Sequence, residues 1–292
     1  MNHAPLSPVT RISFAVATSD GETLHADARF PDEPPGALPV VIFVHGFKGF
    51  KDWGSIPHIC ESMARRGFYV VSFNFSHNGV EGNSQEFTRL DKFAANTFSR
   101  EVRELRELID AIGNGDLPHA GRADATRIAL IGHSRGGGIA LLEAARDARV
   151  KAVAAWGSVA DFNRYSEAQR RRWREAGVFE TKNMRTGQIM RLNITLLDDL
   201  ETNLASLDIP TAAASLGRPL LVLHGEQDLT VRIADGERLG SLGDRSMTEF
   251  VPIPRTNHTF GAVHPFQETN PVLEEAIDRT ATFFRERIAG ER

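Results

Sequence analysis

The stretch Ile128-Ala129-Leu130-Ile131-Gly132-His133-Ser134-Arg135-Gly136-Gly137-Gly138 decides how this chain folds. A short apolar run enters a glycine-flanked serine, and helix-forming residues follow through Arg146. This is Gly-x-Ser-x-Gly in the order strand, turn, helix, the context that gives the motif its meaning. Glycines two positions to either side remove the side chains that would block a close backbone crossing. A serine held there projects above the sheet at a helix N-terminus, where unpaired N–H groups and the helix dipole favour developing negative charge. The plainer alternative is a glycine-rich turn that only starts a helix, and the rest of the chain has to choose between the two.

On both sides of this turn strands and helices alternate. Upstream, Arg11–Thr18 and Thr23–Phe30 read as strands joined at Asp20-Gly21, a hairpin turn signal. A linker-like stretch, Pro31 to Gly36, follows. Val40–Val44 is a β-branched and aromatic run, a helix should end near Gly67, and Phe68–Phe75 is the next strand. Residues 96–113 carry Phe98, Val102, Leu105, Ile109 and Ile112 at helical spacing. Arg127–Ile131 is then a strand, and so is Val150–Trp156. Further on, Pro219–His224 and Thr248–Pro252 read as strands with a helix at Ile233–Leu242 between them. A last helix starts at the cap Asn270-Pro271 and buries Leu273, Ile277, Thr280, Phe284 and Ile288. Strands apolar on both faces, separated by helices, predict an α/β fold with a mostly parallel sheet covered on both sides. Ligands bind such sheets beyond the carboxyl ends of the strands.

The residues at those ends supply partners for Ser134. A serine hydroxyl needs a general base, and the base needs an orienting carboxylate, here in the chain order serine, acid, histidine. Leu220–Leu223 leads into His224-Gly225-Glu226-Gln227-Asp228, and Phe250–Ile253 leads into Arg255-Thr256-Asn257-His258. Asp228 and His258 each lie one loop past a strand and can converge on Ser134. Glu226 and His264 are the rivals for these roles, while His45 and His224 read as structural. The tetrahedral intermediate needs two backbone N–H donors. Arg135, directly after the serine, offers one, and Phe47 in His45-Gly46-Phe47 offers the other. Lys48, Lys51 and Trp53 could line the pocket beside it, or belong to a solvated loop.

Bulk properties leave this reading room. The chain has 292 residues, 41% hydrophobic and 25% charged, enough for one full α/β core with an insertion. Its 34 basic and 38 acidic residues give a net charge of -4, which offers nothing to a nucleic acid or a membrane surface. Cys60 stands alone, so no internal disulfide forms, and it has no neighbouring base to make it a nucleophile. The start, MNHAPLSPVTRISF, lacks the basic and apolar regions of a leader, and no apolar run reaches the roughly 18–20 residues of a membrane span. The expected location is the cytoplasm, and a homodimer is compatible with the composition. No metal-ligand cluster, phosphate loop or dinucleotide fingerprint stands out, so no cofactor or metal is expected.

Taken together, His45-Gly46-Phe47, Gly132–Gly136, His224–Asp228 and Asn257-His258 resemble the α/β-hydrolase superfamily over almost the whole chain. Within it the chain looks like the serine-esterase, cinnamoyl-esterase and dienelactone-hydrolase-like branches. The resemblance implies a catalytic triad of Ser134, Asp228 and His258 acting through an acyl-enzyme on a small-molecule ester, without cofactor. True dienelactone hydrolases carry Cys where this chain has Ser134, which weakens an expectation of lactone specificity. A single His45-Gly46 in place of a Gly-Gly-Gly loop disfavours bulky tertiary-alcohol esters. Aminopeptidase, acyltransferase and non-catalytic binding roles are the alternatives on the same fold.

The resemblance also gives a meaning to residues 158–212, where the alternation breaks. They occupy the place of a cap, or lid, inserted in a core of 1–157 and 213–292. A helix around Arg170–Arg174, a hairpin of Val178–Lys182 and Gln188–Leu192, and a helix at Ile194–Leu207 are expected. Between 161 and 191 there are eight basic and four acidic residues. The basic groups, with Phe162, Tyr165, Trp173 and Phe179, could select an acidic or aromatic substrate. For the arginine run itself, a solvated helix face is the expectation.

Overall fold

Strand parity sorts the side chains into two cores. In the third strand Val40, Ile42 and Val44 join one buried cluster, while Val41 and Phe43 join the other. Ile128 and Leu130 part from Ala129 and Ile131 in the same way, and Leu220 and Val222 from Leu221 and Leu223. Period-two alternation with both faces apolar requires a sheet covered on each side. The computed structural model, which describes residues 8–33, 36–82 and 84–288, has that arrangement. Residues 1–7 of the N-terminal stretch, and Pro34 and Pro35 of the expected linker, lie outside the described residues.

The strands are β1 (Val9–Ala17), β2 (Thr23–Pro31), β3 (Leu38–Val44), β4 (Tyr69–Phe73), β5 (Ala123–His133), β6 (Val150–Trp156), β7 (Val178–Lys182), β8 (Ile189–Asn193), β9 (Leu220–Gly225) and β10 (Thr248–Ile253). The α-helices are α1 (Ile56–Arg65), α2 (Leu90–Ala94), α3 (Phe98–Asn114), α4 (Arg135–Ala144), α5 (Glu167–Ala176), α6 (Ile194–Thr202), α7 (Ile209–Ala214), α8 (Ile233–Leu242) and α9 (Pro271–Ile288). Eight strands form one sheet in the order β1-β2-β4-β3-β5-β6-β9-β10. The β1–β2 and β2–β4 pairings are antiparallel, and the pairings from β4 through β10 are parallel. The buried faces of α3 and α4 belong to one cluster, and those of α1 and α9 to the other.

Local chemistry explains the boundaries. Thr97 accepts the Arg100 N–H to cap α3, and Gly115 ends that helix at φ 80°. Asn270 Oδ1 accepts the N–H groups of Val272 and Leu273 at 3.0 Å and starts α9. The segment between β6 and β9 holds α5 through α7, with β7 and β8 paired as a separate antiparallel hairpin.

Several expected bounds change. β5 begins at Ala123, earlier than Arg127, because its first residues run along β3 at Leu38 and Pro39 before a register shift. The short helix α2 was not foreseen; five residues are too few to show a period. The helix expected over 194–207 stops at Thr202, where Asn203 closes it. The 212 boundary falls inside α7, whose Ile209 packs against Gly138 of α4.

Candidate active site

The turn at Ser134 is strained and pinned. Ser134 has φ 58° and ψ -121°, outside the ordinary range for a side-chain-bearing residue. Its N–H donates to the Trp156 carbonyl at 2.9 Å, and its carbonyl accepts from Gly137 at 3.0 Å. A Cβ on Gly136 would lie 2.2 Å from the Val44 carbonyl oxygen, and one on Gly132 would lie 2.5 Å from that of Gly136. The obstructing atoms are backbone, so these two positions admit only glycine. Gly46, two residues past β3, crowds the turn from the other side: its Cβ would sit 2.9 Å from Ser134 Cβ.

Asp228 and His258 meet at the carboxyl ends of β9 and β10. His258 Nδ1 lies 2.6 Å from Asp228 Oδ2. The other carboxylate oxygen accepts the N–H groups of Thr230 at 2.8 Å and Val231 at 2.9 Å. Burial works to raise the Asp228 carboxyl, yet the hydrogen bonds and charge around it hold it well below the usual carboxylate range. His224, fully buried, places Nε2 3.5 Å from Asp228 Oδ2 while bonding the Val231 carbonyl at 2.9 Å. Its part is to back the carboxylate. Of the rivals, Glu226 is exposed, and His264 Nδ1 accepts the Gly54 N–H at 2.7 Å with its ring stacked on Trp53.

Ser134 and His258 face a cavity of about 610 Å³. Among the described residues Ser134 Oγ makes no hydrogen bond. Phe47 and Arg135 line the same cavity. Neither backbone N–H has an acceptor among the described residues. Buried His45 fixes the loop that carries Phe47: its Nδ1 reaches the Gly46 carbonyl at 3.0 Å and its Nε2 accepts the Phe75 N–H at 3.3 Å. That pattern demands a neutral ring, and burial pushes its pKa down to about 4. Lys48 lines the cavity, but Lys51 does not. The Lys51 ammonium is buried 2.8 Å from Asp27 and 2.5 Å from Asp52, because the inward carboxylate of Asp27 needs a cation.

Three further features escaped the sequence reading. His133 Nε2 bonds the His258 carbonyl at 2.9 Å, tying the two loops together. Gly157, with φ 50°, lets the backbone pass beneath the Asp228–His258 pair; a Cβ there would lie 3.2 Å from His258 Nδ1. Arg135 is clamped between Phe47 and Phe98, 4.2 and 4.8 Å from their ring centres, with Glu101 3.4 Å from Nη1. The glycine directly after β6 was the one available hint. Among the described residues no group of three or more His, Cys, Asp or Glu side chains is arranged to hold a metal ion.

A strained serine after a parallel strand, an acid and a histidine past two later strands, and an open cavity above them come together at the carboxyl ends of the strands of an α/β sheet. Residues 41–272 match the Alpha/beta hydrolase family, and the chain belongs to it. A Yersinia pestis protein that carries the name carboxymethylenebutenolidase is 27% identical over 47% of this chain and 50% of its own length. The Bacillus subtilis protein YitV, which carries the name esterase, is 31% identical over 35% of this chain and 37% of its own length. The chain therefore spans half or less of the length of these relatives. The structure of Est1E from Butyrivibrio proteoclasticus with ferulic acid bound covers 94% of this chain and 99% of its own, at a TM-score of 0.69 and 19% identity. At that identity the likeness speaks for the fold.

Proposed function

We propose that this protein is a serine ester hydrolase acting through an acyl-enzyme on small to medium esters, aromatic ones included. The observation that carries the reading is the 2.6 Å Asp228–His258 pair beside the cavity that holds Ser134. Asp228 fixes the His258 tautomer with Nδ1 protonated, so Nε2 is free to take the Ser134 Oγ proton. Oγ attacks the ester carbonyl, and the oxyanion is met by the N–H groups of Phe47 and Arg135. As the tetrahedral adduct collapses, His258 returns the proton to the leaving alkoxide. Water then gives its proton to His258 and attacks the acyl-enzyme, and Ser134 departs with that proton. Residues 158–212 act as the cap: Phe162, Tyr165 and the hairpin tip at Asn183–Arg185 form part of the cavity wall. With Phe47, Trp53 and Phe98 they offer aromatic surface to an acyl or alcohol group. The esterase name of YitV and the ferulic acid bound to Est1E agree with such substrates. An aminopeptidase would need a carboxylate for the substrate amine, and the lining residues include none.

Ser134→Ala should lower p-nitrophenyl acetate turnover by roughly 10⁴-fold or more. A fluorophosphonate should label the wild type at Ser134. Unchanged turnover in the variant would end this reading.

A further inference from the structure

The cavity above Ser134 is charged on one side only. Its lining includes Lys48, Arg135, Arg164, Lys182 and Arg185 and neither aspartate nor glutamate, in a chain whose net charge is -4. The cations differ in how far they are already satisfied. Arg164 reaches Asp235 at 3.3 Å and is spoken for. Lys182 and Arg185 stand exposed at the hairpin end of the cavity, without a carboxylate within 4 Å among the described residues. Lys48 and Arg135 lie deeper and share one aromatic ring: the Lys48 ammonium is 5.2 Å from the Phe47 ring centre and the Arg135 guanidinium is 4.2 Å from it.

Neither of these two is fully neutralised by the protein. Lys48 Nζ donates to neutral acceptors, Thr181 Oγ1 at 2.9 Å and the Lys182 carbonyl at 2.8 Å. Among the described residues it meets no carboxylate. Arg135 has Glu101 at 3.4 Å, but that carboxylate is buried, one of its oxygens has no hydrogen-bond partner, and burial raises its pKa. Partial burial, and then the charge of Arg135, push the Lys48 ammonium down. Two like charges on a half-buried wall are costly unless an anion joins them. A guanidinium offers a carboxylate two parallel N–H donors, and an ammonium adds a point charge.

We propose that the cavity takes an ester bearing a carboxylate, which sits between Lys48 and Arg135 while Lys182 and Arg185 attract it to the mouth. Arg135 directly follows Ser134 and both line the cavity with Lys48, so a short half-ester of a dicarboxylic acid is the first shape to test. The proposal rests on the ester-hydrolase reading and deepens it.

The test pairs monoethyl glutarate with ethyl 4-carbamoylbutanoate, equal in shape but neutral, and uses p-nitrophenyl acetate as the charge-free control. The anionic ester should show a kcat/KM about tenfold or more above its neutral partner at low salt, with the ratio shrinking in about 0.5 M salt. Lys48→Met should reduce that ratio severalfold, and Lys48→Glu should bring it below one. Turnover of p-nitrophenyl acetate with no preference for the anionic ester, or with neither glutarate ester cleaved, overturns the inference and leaves the esterase reading standing. If no ester at all is cleaved, the esterase reading fails. Calorimetric binding of the same pair to Ser134→Ala then decides the charge preference: equal affinity overturns it, tighter binding of the anion supports it.

Discussion

The turn at Ser134 and the hairpin that faces it across the cavity are held by different means. The turn is fixed by backbone. Gly132, Gly136 and Gly46 approach main-chain or nucleophile atoms so closely that a methyl group has no room, and Ser134 is hydrogen-bonded to β6. The hairpin β7–β8 is fixed by side chains. Trp173, 1% exposed, donates Nε1–H to the Leu192 carbonyl at 3.1 Å and packs against Tyr165 and Phe179 with ring centres 5.1 and 5.2 Å away. The arginine run beside it turns outward, with Arg170 and Arg174 on Glu201. A backbone-locked site tolerates almost no change in geometry, while a side-chain-held wall can be repacked. In this chain the first arrangement would serve chemistry and the second, selection.

The largest effect should come from breaking the locked region chemically without disturbing its shape. In Asp228→Asn the remaining oxygen can still accept the N–H groups of Thr230 and Val231. The new amide N–H₂ would face His258 Nδ1, 2.6 Å from the present oxygen, and force the wrong tautomer. Esterase kcat should fall by about 10⁴-fold, or about 5.5 kcal/mol in the barrier, with a thermal melt close to wild type. Activity within tenfold of wild type would remove Asp228 from the mechanism.

A smaller effect should come from the hairpin. Trp173→Ala removes its buried anchor and should cost about 3–5 kcal/mol, felt locally. By hydrogen exchange, amides of β7 and β8 should lose protection while those of β3 and β5 keep theirs. Activity should shift chiefly in KM. Equal loss of protection in the sheet would mean that the two regions stand or fall together.

These two regions also differ in how much of them the sequence discloses. β-strand periodicity and glycine spacing are local, so the sheet, the turn and the loops that end in Asp228 and His258 are all visible in short windows. The selection of His258 over His264 needed only the distance from a strand end. The contacts that shape the cavity are not local. Arg135 depends on Glu101 and Phe98 from α3 and on Phe47 from the loop after β3, and no window contains them. Lys51 reads as a loop cation until Asp27, on β2, is seen beneath it. In the 158–212 segment a helix around Arg170–Arg174 and the hairpin were legible, while the Ser166–Gln169 capping box that starts α5 comes from the structure. The short α7 was not, because its boundary is set by packing on α4.

The last prediction concerns pH and the loop that joins the two regions. His45 is neutral in the fold because Nε2 must accept from Phe75; a proton there would set two N–H groups against each other. Its pKa lies at about 4, against about 6.5 for an unfolded chain. Between these values the unfolded chain binds a proton that the folded chain refuses. Stability is therefore full above pH 6.5 and declines by about 1.4 kcal/mol per pH unit toward pH 4 on this account. His77, at about 4, and His133, at about 3, act in the same direction, whereas the raised carboxyls of Glu101, Glu104 and Glu143 act in the opposite one. His264 and depressed carboxyls such as Glu22, Asp27 and Asp228 add to the wild-type slope as well, so the informative quantity is a difference. In urea titrations at pH 6.5, 5.5 and 4.5, His45→Asn should be less stable throughout. Its stability should fall with acidity by about 1.4 kcal/mol per pH unit less than the wild type. Parallel lines for the two proteins would mean that His45 takes up its proton as readily folded as unfolded, and that the loop carrying Phe47 does not depend on a neutral ring.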